Sequence, residues 1–140
     1  MNYDRCISRM DNGPKPYIAN VGQMAMQNTN FRTAIWTGTY MQMTLMCIPP
    51  CGEIGLEMHD DVDQFIRIEQ GRAIVKIGDC RQQGFCQCIG RGDVVFVPAG
   101  TWHNVINAGR GPLKVSSTYS PPNHPWGTIH RTKDEAEKEE

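Results

Sequence analysis

Gly92-Asp93-Val94-Val95-Phe96-Val97-Pro98-Ala99-Gly100-Thr101-Trp102-His103-Asn104-Val105-Ile106-Asn107 is the stretch on which the reading of this chain turns. No uninterrupted run of strongly apolar side chains in the chain exceeds four residues, and this stretch holds one of that length, Val94 to Val97. β-branched and aromatic residues in so short a run predict a buried strand. Pro98 has no N–H for a ladder and Gly100 takes up backbone that other residues avoid, so the strand stops there. A further strand, Trp102 to Asn107, follows at once and carries a histidine at its start.

The same signals repeat outward from this stretch. Upstream, Met41 to Ile48 alternates: Met41, Met43, Leu45 and Cys47 share one face, and Gln42, Thr44, Met46 and Ile48 the other. That is the period of a strand, not of a helix. Pro49, Pro50 and Gly52 end it. Ala34 to Trp36 is a shorter apolar strand, and Ile54 to His59 a further extended segment. After the acidic corner of Asp60, Asp61 and Asp63, Gln64, Ile66 and Ile68 share a face opposite Phe65, Arg67 and Glu69. Gln70-Gly71 reads as a hairpin turn into Ala73 to Ile77. Phe85 to Ile89 is another strand, and beyond the Gly109–Gly111 turn Leu113 to Tyr119 is the last. No internal repeat and no long helical period occurs. Nine or ten short strands predict an all-β, antiparallel sandwich or barrel, with the barrel mouth as the natural pocket.

Composition agrees. The chain has 140 residues, enough for one domain with a real core. Its 14 glycines and 9 prolines make it turn often. The 14 basic and 15 acidic residues give a net charge of -1, which lacks the basic surplus of a nucleic-acid binder. Mean hydropathy is -0.47 and no run approaches the twenty or so residues of a membrane span. Residues 1–30 read as a polar arm, in which Met24 and Met26 mark a short packed segment or a lone strand. The barrel with its proline-rich C-terminal arm occupies 31–131. Residues 132–140 carry five acids and two lysines and read as a mobile tail or a short exposed helix. The opening residues, MNYDRCISRM, contain no apolar segment of the kind a secretory signal has, so a cytoplasmic location is expected. The six cysteines are then expected as reduced thiols. Neither the Cys80, Cys86, Cys88 cluster nor the Cys47, Cys51 pair has the spacing of a zinc ribbon.

Chemistry concentrates at the histidines. Glu57 and His59 are two residues apart, so on an extended strand both project to one face. Gln64 follows across the acidic corner, where a hairpin can return it beside them. His103 opens a different strand. Imidazole and carboxylate in this pattern suit a divalent transition metal such as iron, manganese, nickel or zinc. A lone strand histidine is more often a hydrogen-bonded residue than a ligand, so the spacing alone does not settle the matter.

Residues 92–107 resemble the second motif of the cupin superfamily, G-x5-P-x-G-x2-H-x3-N, at every fixed position. The first motif, G-x5-H-x-H-x3-4-E-x6-G, corresponds to Cys51 through Gly71. His59 and Gly71 agree with it. Cys51 stands where the motif opens with glycine, Glu57 where it has its first histidine, and Gln64 where it has glutamate. The resemblance covers roughly residues 40–120. It implies a small double-stranded β-helix barrel, or jelly roll, with one metal held by Glu57, His59, Gln64 and His103. The carboxylate at 57 and the amide at 64 leave the ligand charge equal to that of the usual three-histidine, one-glutamate set. Gln64 would ligate through a neutral oxygen or orient a ligand from behind. Asp63 is the alternative, but its parity sends it to the face opposite Ile66. Members of this size commonly pair, so a homodimer is expected, which would also cover exposed strand edges.

The resemblance implies a small-molecule substrate or ligand. The single-domain form with a Glu-x-His first motif looks most like sugar-phosphate (mannose-6-phosphate) isomerase-like cupins, in which Glu57, released from the metal, would move the proton. That reading needs basic groups near the metal, and the sequence places none inside the barrel. A non-haem iron dioxygenase with Glu57, His59 and His103 is the alternative, with Met43, Met46, Ile66 and Ile68 as apolar walls. A non-enzymatic ligand-binding barrel is the third. Tyr119 through His130 reads as a proline-rich arm outside the barrel or against a neighbouring subunit. The other reading is a lid that brings Tyr119 or His124 to the pocket. Arg32 and Trp36 are left open, and Asn107 is read as a hydrogen-bonding turn residue.

Overall fold

The structure is a computed structural model and describes residues 11–78 and 84–139. Among the described residues nine strands run in chain order: β1 (Arg32–Thr37), β2 (Gln42–Ile48), β3 (Asp63–Gln70), β4 (Arg72–Ile77), β5 (Phe85–Gly90), β6 (Val94–Val97), β7 (His103–Asn107), β8 (Leu113–Ser120) and β9 (Ile129–His130). Six form one sheet in the order β6-β3-β8-β2-β1-β9, and three form a second in the order β5-β4-β7. All the pairings are antiparallel. The fold is a jelly-roll β-barrel: the strand-and-turn pattern predicts its antiparallel all-β architecture, and the motif resemblance implies the jelly roll.

Alternation decides which side chains fill the barrel. Met46 and Ile48 of β2, Ile66 and Ile68 of β3, and Leu113 and Val115 of β8 are buried together with Ala73, Val75 and Val105 of the second sheet. At about 25 cal/mol per Å² of apolar surface, such a set is the main force closing the two sheets. The register β3–β8 matches Gln64 with Tyr119, Ile66 with Ser117 and Ile68 with Val115, so the polar members lie at one end of the interior and the apolar ones at the other.

The outward face of the large sheet is covered by α1 (Val21–Gln27), whose Met24 and Ala25 are buried against Ile35 and Leu45. Asn20 caps it by accepting from Gln23 N. The sequence favoured a packed segment or strand here; a helix forms because one short apolar stripe suffices to cover the sheet. Met43 packs on this outer cluster, so it is not a wall of the interior. Arg67 is also outside, its Nε 3.8 Å from Glu69.

The acidic tail is helical. Thr132 caps α2 (Lys133–Lys138), with Asp134 and Glu135 in its first turn and Lys138 in its last, as the helix dipole favours. Ala136 is buried against the barrel core, so the short helix foreseen for the tail is docked at that residue and not exposed on every face.

Two turns show why the motif positions matter. Gly71 has φ 99° and joins β3 to β4. Cys51, in place of the motif's glycine, still has φ 66°, and Gly52 N donates to Pro49 O at 2.9 Å across that turn. The backbone keeps the left-handed conformation although the residue has changed.

Candidate metal centre

The segment between β2 and β3 runs beside β7 without forming a full strand. Ile54 N donates to Val105 O, and Glu57 and His103 exchange both backbone hydrogen bonds, at 3.0 and 2.9 Å. This antiparallel bridge sets the two side chains on the same side. His59, two residues on, shares that face. The loop before His103 is tied down separately: Gly100 N donates to His59 O at 2.7 Å, and Ala99 N to Asp63 Oδ1 at 3.0 Å. Gly100 has φ 81° with open space where a Cβ would stand, so its glycine serves the backbone and not the packing. Asp63 is thereby a loop anchor and not part of the cluster.

The result is a convergence of two imidazoles and one carboxylate. Glu57 Oε1 lies 3.3 Å from His103 Nε2 and 3.5 Å from His59 Nε2. The three side chains could hold a metal ion together. Two ligand atoms each about 2.1 Å from one metal stand about 3.0–3.4 Å apart at ordinary coordination angles, so the spacing fits a single ion. Both Nε2 atoms are buried and have no hydrogen-bond partner. Buried polar atoms are nearly always satisfied, so an unpaired pair aimed at one carboxylate marks a place for a cation. His103 Nδ1 lies 3.0 Å from Thr101 O, and donating there leaves Nε2 with its lone pair, the tautomer a metal requires.

Electrostatics follows from this crowding. Burial raises the Glu57 carboxyl, but the imidazoles of His103 and His59 outweigh it and hold the group at about 2. For His103, burial pushes down, and the Glu57 carboxylate and the Thr101 carbonyl more than offset that, so the net direction is up.

Gln64 is buried on β3. Its Nε2 donates to Ser117 Oγ at 2.7 Å, and its Oε1 is buried without a partner. The amide therefore has a fixed donor end and a free acceptor end.

Other interior groups are ones the sequence reading left open. Tyr119 is buried, with its ring edge-on to His59 at 6.0 Å and to His124 at 5.3 Å. His124 is half-buried beside it: Gln42 Oε1 accepts from Asn123 N and His124 N, while Gln42 Nε2 donates to His124 O. The arm from Tyr119 to His130 contributes to the interior, as the lid alternative expected. The period of β8, which sets Tyr119 in phase with Leu113 and Val115, was the available signal. Nothing local pointed to Arg32, which is buried opposite His130. Asn107 links Ile48 O, Gly111 O and Gly109 N, a structural role. Cys47, Cys51, Cys86 and Cys88 are free thiols. Cys6 and Cys80 lie outside the described residues, and with Cys80 so does the three-cysteine cluster.

Comparison with known proteins gives a consistent picture. The family model described as a cupin domain matches residues 44–120. A Bacillus subtilis protein designated YrkC, itself uncharacterised, is 52% identical over 134 residues, covering 95% of this chain and 72% of its own length. The uncharacterised protein L612 of Acanthamoeba polyphaga mimivirus is 36% identical over 121 residues, covering 86% of this chain and 74% of its own. Among solved structures, BH2720 from Bacillus halodurans superposes with a TM-score of 0.89 at 44% identity, covering 92% of this chain and 98% of that one. No helix among the described residues is long and apolar enough to cross a membrane.

Proposed function

The chain belongs to the cupin family, and from that premise we propose that it is a metal-dependent enzyme acting on a small molecule inside the barrel. The convergence of Glu57, His59 and His103, with two unpaired buried Nε2 atoms, carries the proposal. These three would hold a divalent transition metal, and Gln64 Oε1 would be a fourth ligand or would orient a bound molecule. Bound there, the metal would supply Lewis-acid polarisation of the substrate's oxygen atoms. His103 would be oriented by Thr101 O, and Gln64 by Ser117. Tyr119 would close the side wall next to His59.

Two reactions fit this site and differ in what Glu57 does. Isomerisation of a sugar phosphate between aldose and ketose needs a group that moves a proton between adjacent carbons. Glu57 could do this only by leaving the imidazoles, and a carboxyl held at about 2 is a weak base. An iron-dependent dioxygenase asks of Glu57 only that it stay where it is, completing a two-histidine, one-carboxylate set. The shared position of Glu57 Oε1 between both imidazoles favours this second reading.

Elemental analysis of freshly purified protein, beside His59→Ala and His103→Ala, is the first test. Near-stoichiometric metal in the wild type and its loss in both variants is the expected result. Full occupancy in either variant would remove the ligand assignment. Oxygen uptake with ferrous protein, and exchange of solvent hydrogen into sugar phosphates with other metals, then separate the two reactions. Ligand-induced stabilisation without product in any of these assays would make the chain a binding barrel.

A further inference from the structure

Arg32 is a cation in the barrel wall without an anion. It is 6% exposed, and its Nε is buried with no hydrogen-bond partner. Its Nη1 lies 3.1 Å from His130 Nδ1, and His130 Nε2 lies 2.6 Å from Glu139 Oε2. An imidazole carries no negative charge, so His130 orients the guanidinium without cancelling its charge. The ring of Phe31, 5.3 Å from the guanidinium carbon, adds only a cation–π contact. Among the described residues no carboxylate makes an ion pair with Arg32. Burying an unpaired charge costs several kcal/mol, and such groups are normally paired. A held, buried guanidinium with no carboxylate against it points to a ligand of opposite charge.

A row of rings connects Arg32 to the metal group. His59 touches Tyr119, Tyr119 touches His124, and His124 lies 6.4 Å from His130, the residue that holds Arg32. Tyr119 and His124 each feel both the Arg32 charge and the Glu57 charge. Burial first, and then Arg32, push His124 down to about 3. His124 is therefore neutral and can donate or accept without adding a second cation. The interior thus offers lone pairs at the end with His59, His103 and Gln64, and a guanidinium at the other.

We propose that Arg32 anchors the oxyanion of a small carboxylate or phosphate ligand, with Tyr119 and His124 beside it. The inference rests on the metal-dependent reading above only for the far end of that ligand. It gives the interior the basic group that the sequence did not place there.

Calorimetric titration of the full chain, both chelator-treated and manganese-loaded, tests this with inorganic phosphate and with oxalate at constant ionic strength. At least one should bind saturably. Arg32→Gln should weaken binding by about tenfold or more, the value of one or two charge-assisted hydrogen bonds, and Arg32→Lys should weaken it less. Oxalate alone would identify a carboxylate site and phosphate alone a phosphate site. No binding of either to the wild type, or equal binding to Arg32→Gln, would overturn the proposal. Should Arg32→Gln fail to fold, wild-type crystals soaked in the bound anion decide, because an anion away from Arg32 overturns the proposal equally. Anion binding without metal uptake would leave this site standing and remove the metal-dependent reading. Metal uptake without anion binding would do the reverse.

Discussion

Removing the Glu57 charge should change how the metal-free protein responds to acid. In the fold this carboxyl is held at about 2 against an ordinary 4.5. That gap corresponds to about 3 kcal/mol of stability, at about 1.4 kcal/mol for each tenfold change in proton affinity. Because the folded value is lowered, the contribution is present above pH 4.5 and is lost as pH falls toward 2. His103 works in the opposite sense. Its folded value is raised, so its share is full below 6.5 and is lost as pH rises through the raised value. Glu57 and His103 together are therefore worth most in mildly acid solution. The assay is urea unfolding of chelator-treated wild type and Glu57→Gln at pH 5.5 and at pH 3. Between those values the wild type should lose about 2 kcal/mol more than the variant, the part of the full effect that pH 3 reaches. Glu57 is partly exposed, so a smaller difference of the same sign still agrees. Equal losses in the two proteins, or a larger loss in Glu57→Gln, would refute the account of the carboxylate as clamped between the imidazoles.

Two further outcomes follow from other parts of the molecule. His124 is held neutral at about 3 in the fold against an ordinary 6.5, so its contribution is present above 6.5 and drains as pH falls toward 3; His124→Phe should lose less stability than the wild type between pH 7 and pH 5, by about 2 kcal/mol at most, read by urea unfolding. Cys51 is exposed with φ 66°, a conformation that costs an ordinary residue about 1–2 kcal/mol, of which glycine's greater unfolded-state freedom returns about 0.5–1. Cys51→Gly should therefore raise the melting temperature by a few degrees while Cys51→Ala leaves it near the wild type, and a glycine variant that melts lower would show that the thiol makes a contact of its own.

The parts of this fold that were legible in the sequence are those set by local rules. Val94 to Val97, stopped by Pro98, is a strand as read, but it lies at the edge of the large sheet with Val94 and Phe96 exposed instead of being buried, because apolar content alone does not say which strand ends the sheet; the alternation of Gln64, Ile66 and Ile68 places all three inward. Glu57 and His59 came together because a two-residue spacing on extended chain is enough. His103 joined them through a sixteen-residue motif. What escaped depends on long-range pairing. Arg32 faces His130 across 98 positions, and Gln42 holds His124 across 82. No local period carries such information. The helix at Val21–Gln27 was missed for a related reason. With seven residues it is too short to show a helical period, and it owes its stability to Ile35 and Leu45 beneath it.

The exchange of residue types at 57 and 64 raises a question of charge that variants can answer. The set implied by the cupin resemblance has one carboxylate, at the position of Gln64, and here the carboxylate stands at 57 instead. If both positions ligate the same ion, the ligand set has a formal charge of -1 either way, and what changes is where that charge lies. At 57 it stands directly opposite His103 on the backbone bridge; at 64 it would stand on β3, beside Ser117. Glu57→His alone removes the charge and should weaken manganese binding. Gln64→Glu alone doubles the charge and should strengthen it. The double variant restores a single carboxylate and should return the affinity toward the wild type, which double-mutant coupling measures directly. Independent effects would mean that Gln64 does not touch the ion. Its free Oε1 would then serve the bound molecule, and the amide, with no charge to add, would be the group that tolerates an anion close to the metal.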